Sequence, residues 1–206
     1  MQRKYIIRYY LYIIWRLNMG KKPLSEKQIK SIRKLVEAKP LHSLLLNLSV
    51  DLMLRGSDLL NLKVSDVMNE SGSVKKEVKV RQKKTKKTTL SLPLSKNSMD
   101  AIKKHLSGKS QEEYIFKGQK SYTGKPISII QYSRIVKGWL TDLGYEDVSQ
   151  YSTHSMRKSK ASLIYEKTKN VDAVRRLLGQ SSVTATSAYL GVTDESALDL
   201  ARQYNM

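Results

Sequence analysis

The chain has 206 residues, 40% of them hydrophobic and 27% charged, a globular balance sufficient for one well-cored domain and a short extension. It holds no cysteine and only three histidines, His42, His105 and His154, none close to another, which excludes disulfides and cysteine chemistry and argues against zinc. Thirty-eight Lys and Arg against eighteen Asp and Glu leave a net charge of +20, which points to a polyanionic partner whose condensed counterions are released on binding.

The first eighteen residues, MQRKYIIRYYLYIIWRLN, contain an apolar run from Tyr5 to Leu17. It is too short for a membrane span, is broken by Arg8 and Arg16, and lacks the small-residue cleavage site of a secretory signal. An amphipathic arm, a peripheral membrane helix and an upstream start with Met19 as the natural beginning all fit. The last is favoured, because recognisable organisation begins just after it. Residues 1–22 are therefore read as an extension and 23–206 as one domain.

Ser25 is a good N-cap for a helix in which Ile29, Ile32, Leu35 and Val36 recur at helical spacing. After Lys39-Pro40, Leu44, Leu45, Leu48, Leu52 and Leu54 give a second helix a broad apolar face. This helix is expected to stop near Arg55-Gly56, with Ser57-Asp58 opening a further turn to Leu62. Residues 74–94 change period: Val74, Val78 and Val80 alternate with Lys79 and Arg81, residues 83–87 make a polar turn, and Leu90, Leu92 and Leu94 alternate back. That is a β-hairpin with one apolar face. Its outer face and tip carry Lys79, Arg81, Lys83, Lys84, Lys86 and Lys87, a density of charge suited to phosphate contact rather than to edge protection alone.

Helices are predicted over 95–106, 129–143, 155–167, 171–178, 183–189 and 194–203, with a Gly- and Lys-containing loop over 118–126 whose Lys120 and Lys125 are expected to touch phosphates. There is no internal repeat or low-complexity tract. The fold class is mainly α with a small antiparallel β-sheet, an α+β domain.

Four local contexts then fall in order: Arg55 in LMLRGSDLLNLKVSDV, Lys84 in VRQKKTKKTTLSLPL, His154 and Arg157 spaced H-x-x-R in THSMRKSKASLIY, and Tyr189 closing LLGQSSVTATSAYLG. Alone, each has a plain reading. Arg55 could be a cation at a helix end, H-x-x-R is a common surface pair, and eleven other tyrosines are present. Together the order resembles the tyrosine recombinase (phage integrase) family over roughly residues 24–189, in its short form of little more than a catalytic domain.

The resemblance implies that fold and a DNA-breaking and rejoining enzyme that needs neither metal nor other cofactor. It makes Tyr189 the nucleophile of a 3′-phosphotyrosyl intermediate, Arg55 and Arg157 the grip on the non-bridging oxygens, and Lys84 the acid for the leaving 5′ oxygen. His154 becomes a base or phosphate donor, and Asp58 a supporting residue. The residue types suit these roles: a phenol can attack, guanidinium offers permanently charged donor pairs, and an amine can give a proton. Where the family usually has histidine or tryptophan nine residues before the nucleophile, this chain has Gln180, which can donate a hydrogen bond but cannot titrate. Reduced rather than abolished activity is expected.

Arg81, Lys83, Lys86, Lys87, Lys120 and Lys125 are the expected DNA-binding residues. The expected partners are double-stranded recombination sites, further copies of the chain in a tetramer on DNA, and a host DNA-bending factor, in a bacterial cytoplasm on the nucleoid and away from the membrane. A site-binding protein that has lost its chemistry, a type IB topoisomerase-like nicking enzyme and a basic RNA-binding protein are the competing readings.

Overall fold

A computed structural model describes residues 21–118 and 124–193, together with residues 198 and 202. The extension over 1–20, Lys120, and most of the tail helix expected over 194–203 lie outside the described residues. The element order is α1 (Glu26–Val36), α2 (Pro40–Leu52), α3 (Gly56–Leu60), α4 (Val64–Val67), β1 (Glu77–Val78), β2 (Leu92–Pro93), α5 (Lys96–Leu106), α6 (Ile129–Asp142), α7 (Thr153–Thr168), α8 (Val171–Leu178) and α9 (Val183–Leu190). None of the helices among the described residues is long and apolar enough to cross a membrane.

Caps fix most helix starts. The Ser25 hydroxyl accepts from the Gln28 amide while the Gln28 side chain accepts from the Ser25 amide, a reciprocal capping box. Ser95, Ser128, Asn170 and Ser182 each accept from a backbone N–H in the first turn of the helix that follows. Helix α2 is apolar on every side and accordingly buried on every side: Ser43 to Ser49, Asp51 and Leu52 are all inside, and α1, α5 and α7 pack around it. Its one buried carboxylate, Asp51, is answered by the Ser95 amide, the Ser98 hydroxyl and Lys160, so it joins α2 to α5 and α7. Trp139 on α6 donates to His42 Nδ1 at 3.1 Å and closes the opposite side.

Three sequence expectations need correction. Helix α2 ends at Leu52, because Met53 turns left-handed (φ 47°, ψ 30°) and is held there by burial of its side chain. Arg55 is therefore the N-cap of α3, not the tail of α2. Helix α7 starts at Thr153, two residues early, because Ser152 caps it, which puts His154 in its first turn. The hairpin ladder is only two pairs long, Glu77 opposite Pro93 and Val78 opposite Leu92, with a separate bridge between Arg81 and Thr88 near the tip. Between the two the pairing slips by one residue on the return strand. Such a bulge reverses the alternation beyond it, so Thr89 turns inward and Leu90, expected inside, is exposed. Leu92 and Leu94 are buried as expected.

Candidate active site

The site lies where the start of α3, the hairpin tip, and the packed helices α7, α8 and α9 converge. A small second core of Met53, Ala161, Val174 and Leu178, joined by Ile164, Tyr165, Leu177, Tyr189 and Leu190, holds the three helices together. The left-handed residue that redirects the chain toward Arg55 is thus buried in the same cluster that seats Tyr189.

Arg55 leaves α3 sideways. An N-cap is the wrong end of a helix for a cation, since the macrodipole is positive there, so helix-end stabilisation does not account for it. Its Nη1 donates instead to Gln82 Oε1 at 2.8 Å. At Gly56, the next residue, an added Cβ would come within 3.0 Å of Ile129 and 3.5 Å of Thr153. The missing side chain lets the starts of α6 and α7 close on α3. Asp58, one turn on and buried, accepts from the Lys83 amide at 2.9 Å through Oδ1, which pins the hairpin tip to α3. Its Oδ2 has no partner, and its charge favours the Arg157 guanidinium.

Arg157, on α7, is only 3% exposed. Its Nη2 donates to the Leu178 carbonyl at 2.7 Å, satisfying the C-terminal end of α8. Burial lowers its proton affinity, opposed first by Tyr189. Arg157 Nη1 and the Tyr189 hydroxyl are both buried and interact electrostatically, yet neither makes a hydrogen bond of good geometry. Burial drives the Tyr189 phenol up to about 12, with Arg157 and then Arg55 pulling against it. Lys158, beside Arg157 and also buried, places Nζ 5.0 Å from the centroid of the Tyr189 ring. His154, in the first turn of α7, is largely exposed; the partial burial of its ring first, and then Arg157, Arg55 and Lys158, lower its proton affinity.

Helix α8 ends at Gly179 in the left-handed conformation (φ 62°), where a Cβ would come within 2.8 Å of Gln82 Nε2. Gln82 is itself buried. Its Oε1 accepts from Arg55 and, at 2.8 Å, from the Thr85 hydroxyl, while Nε2 reaches the Leu178 carbonyl at 3.4 Å. An amide oxygen therefore sits where Arg55 can reach an acceptor. Next to it opens a cleft of about 220 Å³ lined by Arg55, Thr85, Lys87, Gly179, Gln180 and Ser182 among others. Gln180 Oε1 accepts from the Thr186 hydroxyl at 2.7 Å, which leaves its amide nitrogen as a donor.

Sequence reading therefore places Arg55, Asp58, His154, Arg157, Gln180 and Tyr189 around one centre. Lys84 is exposed at the hairpin tip and does not line the cleft, whereas Lys87, expected only to bind DNA, does. Arg81, Lys83 and Lys86 are exposed on the same hairpin; Lys125 is exposed beside the bridge between Lys117 and Pro126 and lines no part of the cleft. Gln82, Thr85, Leu178, Gly179 and Lys158 were not singled out as site residues. In the sequence Gln82 and Thr85 stand only as the Gln82-x-Lys84-Thr85 context of the hairpin lysine, and Gly179 could have been read as a glycine closing an apolar helix. Among the described residues no cluster of acidic groups and histidines suited to a metal is found.

Comparison with known proteins places the chain among relatives. The chain is 33% identical over 143 residues to a probable integrase/recombinase, YoeC, of Bacillus subtilis, covering 69% of this chain and 73% of that protein. It is 30% identical over 148 residues to a tyrosine recombinase of Pseudothermotoga lettingae, covering 71% of this chain and 48% of the relative. In fold it resembles the crystal structure of XerA recombinase (TM-score 0.67, 17% identity, 91% of this chain and 65% of that one). It also resembles XerH recombinase bound to its palindromic difH substrate after cleavage (TM-score 0.66, 18% identity, 89% and 53%). The chain thus spans about half to three quarters of the length of these proteins. The model of the phage integrase family matches residues 22–196, and the chain belongs to that family.

Proposed function

We propose that the chain is a site-specific DNA recombinase that cuts and rejoins strands through Tyr189. The observation that carries this reading is the buried pair Arg157 and Tyr189, whose Nη1 and hydroxyl interact but make no hydrogen bond of good geometry, beside a cleft into which Arg55 and Gln180 can donate. A phosphodiester supplies the acceptors these donors lack. The Tyr189 oxygen attacks phosphorus and loses its proton to His154 or water; the bond to the 5′ oxygen breaks, and that oxygen takes a proton from a hairpin lysine, Lys84 by family resemblance. Arg55 and Arg157 hold the non-bridging oxygens as charge builds. The phosphotyrosyl link keeps the energy of the broken bond, so a 5′ hydroxyl can reverse the step without ATP.

With its hydroxyl inside, Tyr189 reaches a phosphate only after a local shift, and displacement of the Gln82 oxygen from Arg55 is the natural trigger. Arg81, Lys83, Lys86, Lys87 and Lys125 extend a basic face for the backbone. A tetramer on paired sites, and a host factor that bends DNA, complete the proposed assembly, on the nucleoid of a bacterium.

The test is a nicked suicide duplex carrying the attachment site beside the gene, incubated in EDTA with wild type, Tyr189→Phe and Gln180→His. A denaturation-resistant adduct formed by wild type and lost in Tyr189→Phe is expected, with Gln180→His at least as fast as wild type. Adduct from Gln180→His alone favours a site-binding relative without chemistry. Tight binding with no adduct from any of the three overturns the enzyme.

A further inference from the structure

We infer that Lys158 is a positioning residue for the nucleophile: its ammonium, set over the face of the Tyr189 ring, fixes the ring's orientation and favours the phenolate that forms as the hydroxyl attacks. The inference rests on the reading of Tyr189 as nucleophile.

The geometry is specific. Lys158 Nζ lies 5.0 Å from the ring centroid, within cation–π range, and the residue is only 8% exposed. Lys160, two residues on, turns the other way and meets Asp51. Lys158, among the described residues, has no carboxylate or carbonyl partner. Most of the side chain is out of water, and the Tyr189 ring face is the contact its ammonium makes there. Helix geometry explains how this contact coexists with Arg157. Ala161 lies four residues after Arg157 and three after Lys158, so the three side chains share the face on which α9 rests. A residue as small as alanine there lets the Tyr189 ring descend between the two cations.

The ring contact differs in kind from that of Arg157. Arg157 acts at the oxygen and will be claimed by the phosphate. Lys158 acts on the π-face, which the phosphate leaves free. As the phenol loses its proton, charge flows into the ring and the attraction strengthens, so the interaction is worth more in the transition state than before it. Burial also makes Lys158 easier to deprotonate than an ordinary lysine, so the contact weakens at alkaline pH sooner than a surface lysine's would.

Two measurements separate this role from others. The first is single-turnover adduct formation by wild type, Lys158→Met and Lys158→Arg, on a normal suicide substrate and on one whose leaving 5′ oxygen is replaced by sulfur. Sulfur leaves without a proton, so a residue that acts as the acid becomes dispensable there. Lys158→Met is expected to be roughly tenfold slower on both substrates, with Lys158→Arg close to wild type. Rescue of Lys158→Met by sulfur, equal slowing in Lys158→Arg, or no slowing at all overturns the inference. The second needs no cleavage: the ring ¹³C resonances of Tyr189, assigned by their absence from Tyr189→Phe, should move in Lys158→Met and hold in Lys158→Arg while other tyrosines stay. Unmoved Tyr189 resonances sink the inference whatever the kinetics. A wild type that makes no adduct, yet shows the ring shift, sinks the recombinase reading and leaves the contact standing.

Discussion

The two sides of the cleft are built differently. One side, formed by α7, α8 and α9, is a packed wall in which Arg157, Lys158 and the Tyr189 hydroxyl are all buried. The other, the hairpin, has a ladder of two residue pairs, and its charged side chains at 81, 83, 84, 86 and 87 are exposed. The hairpin tip is tied to α3 through Gln82 with Arg55 and the Lys83 amide with Asp58, and to the wall through Gln82 with the Leu178 carbonyl. Groups that must stabilise charge at phosphorus gain from being fixed beforehand in a dry site. The group that delivers the proton to a leaving oxygen needs reach instead, and a short ladder with many solvent-facing bonds opens at little cost.

The largest expected effect tests the division within the site. Arg55→Ala and Arg157→Ala should each slow cleavage roughly 10²–10³-fold, the scale of losing a donor to a developing charge. Only Arg157→Ala should also cost about 1–3 kcal/mol of stability, because the Leu178 carbonyl loses its donor. Urea melts of both variants decide this. Equal destabilisation by Arg55→Ala would make the hairpin side as structural as the wall.

A second measurement asks which hairpin lysine is the acid. Lys84→Ala should reduce cleavage by about two orders of magnitude, and a sulfur leaving group should restore it. Lys87→Ala, with no such rescue, should weaken binding and reduce the salt slope by about one. The opposite outcome moves the acid to Lys87, which already lines the cleft.

The smallest effect is in pH. The fold lowers the proton affinity of His154, chiefly by burial and then by Arg157, and lowers that of His42 and His105. The unfolded chain therefore binds protons more readily, and stability falls as pH drops through the ordinary histidine range near about 6.5. Tm measured from pH 8 to 5.5 should decline, and His154→Asn should remove part of that decline. A flat profile in wild type would mean that the cations around His154 do not act on it.

Much of this was legible in the chain. Helix periods, serine and asparagine caps and the two-residue alternation of the hairpin are local, and they place α1, α5, α6, α8 and α9 to within about a residue. Arg55, His154, Arg157 and Tyr189 stood out through their contexts, and the fold brings all four together. Less legible were features that depend on distant contacts. The left-handed Met53 has no local cause and is held by residues of α7 and α8. The bulge that exposes Leu90 leaves no mark in an alternating pattern. Lys158 reads as one lysine among many, because burial and a ring face cannot be seen from a neighbouring arginine.

By itself, then, the sequence determined most of the helices, the hairpin and the surplus of positive charge, since each follows from side-chain chemistry at short range, and it nominated the candidate reacting groups by resemblance. Only the tertiary structure decided which cations are buried against Tyr189 and which remain in water, that Gln82 occupies the acceptor position of Arg55, and that the phenol lies inside. Those outcomes depend on how three helices and a hairpin share a small core, and packing of that kind joins residues far apart in the chain, as Met53 with Leu178 and Gln82 with Leu178.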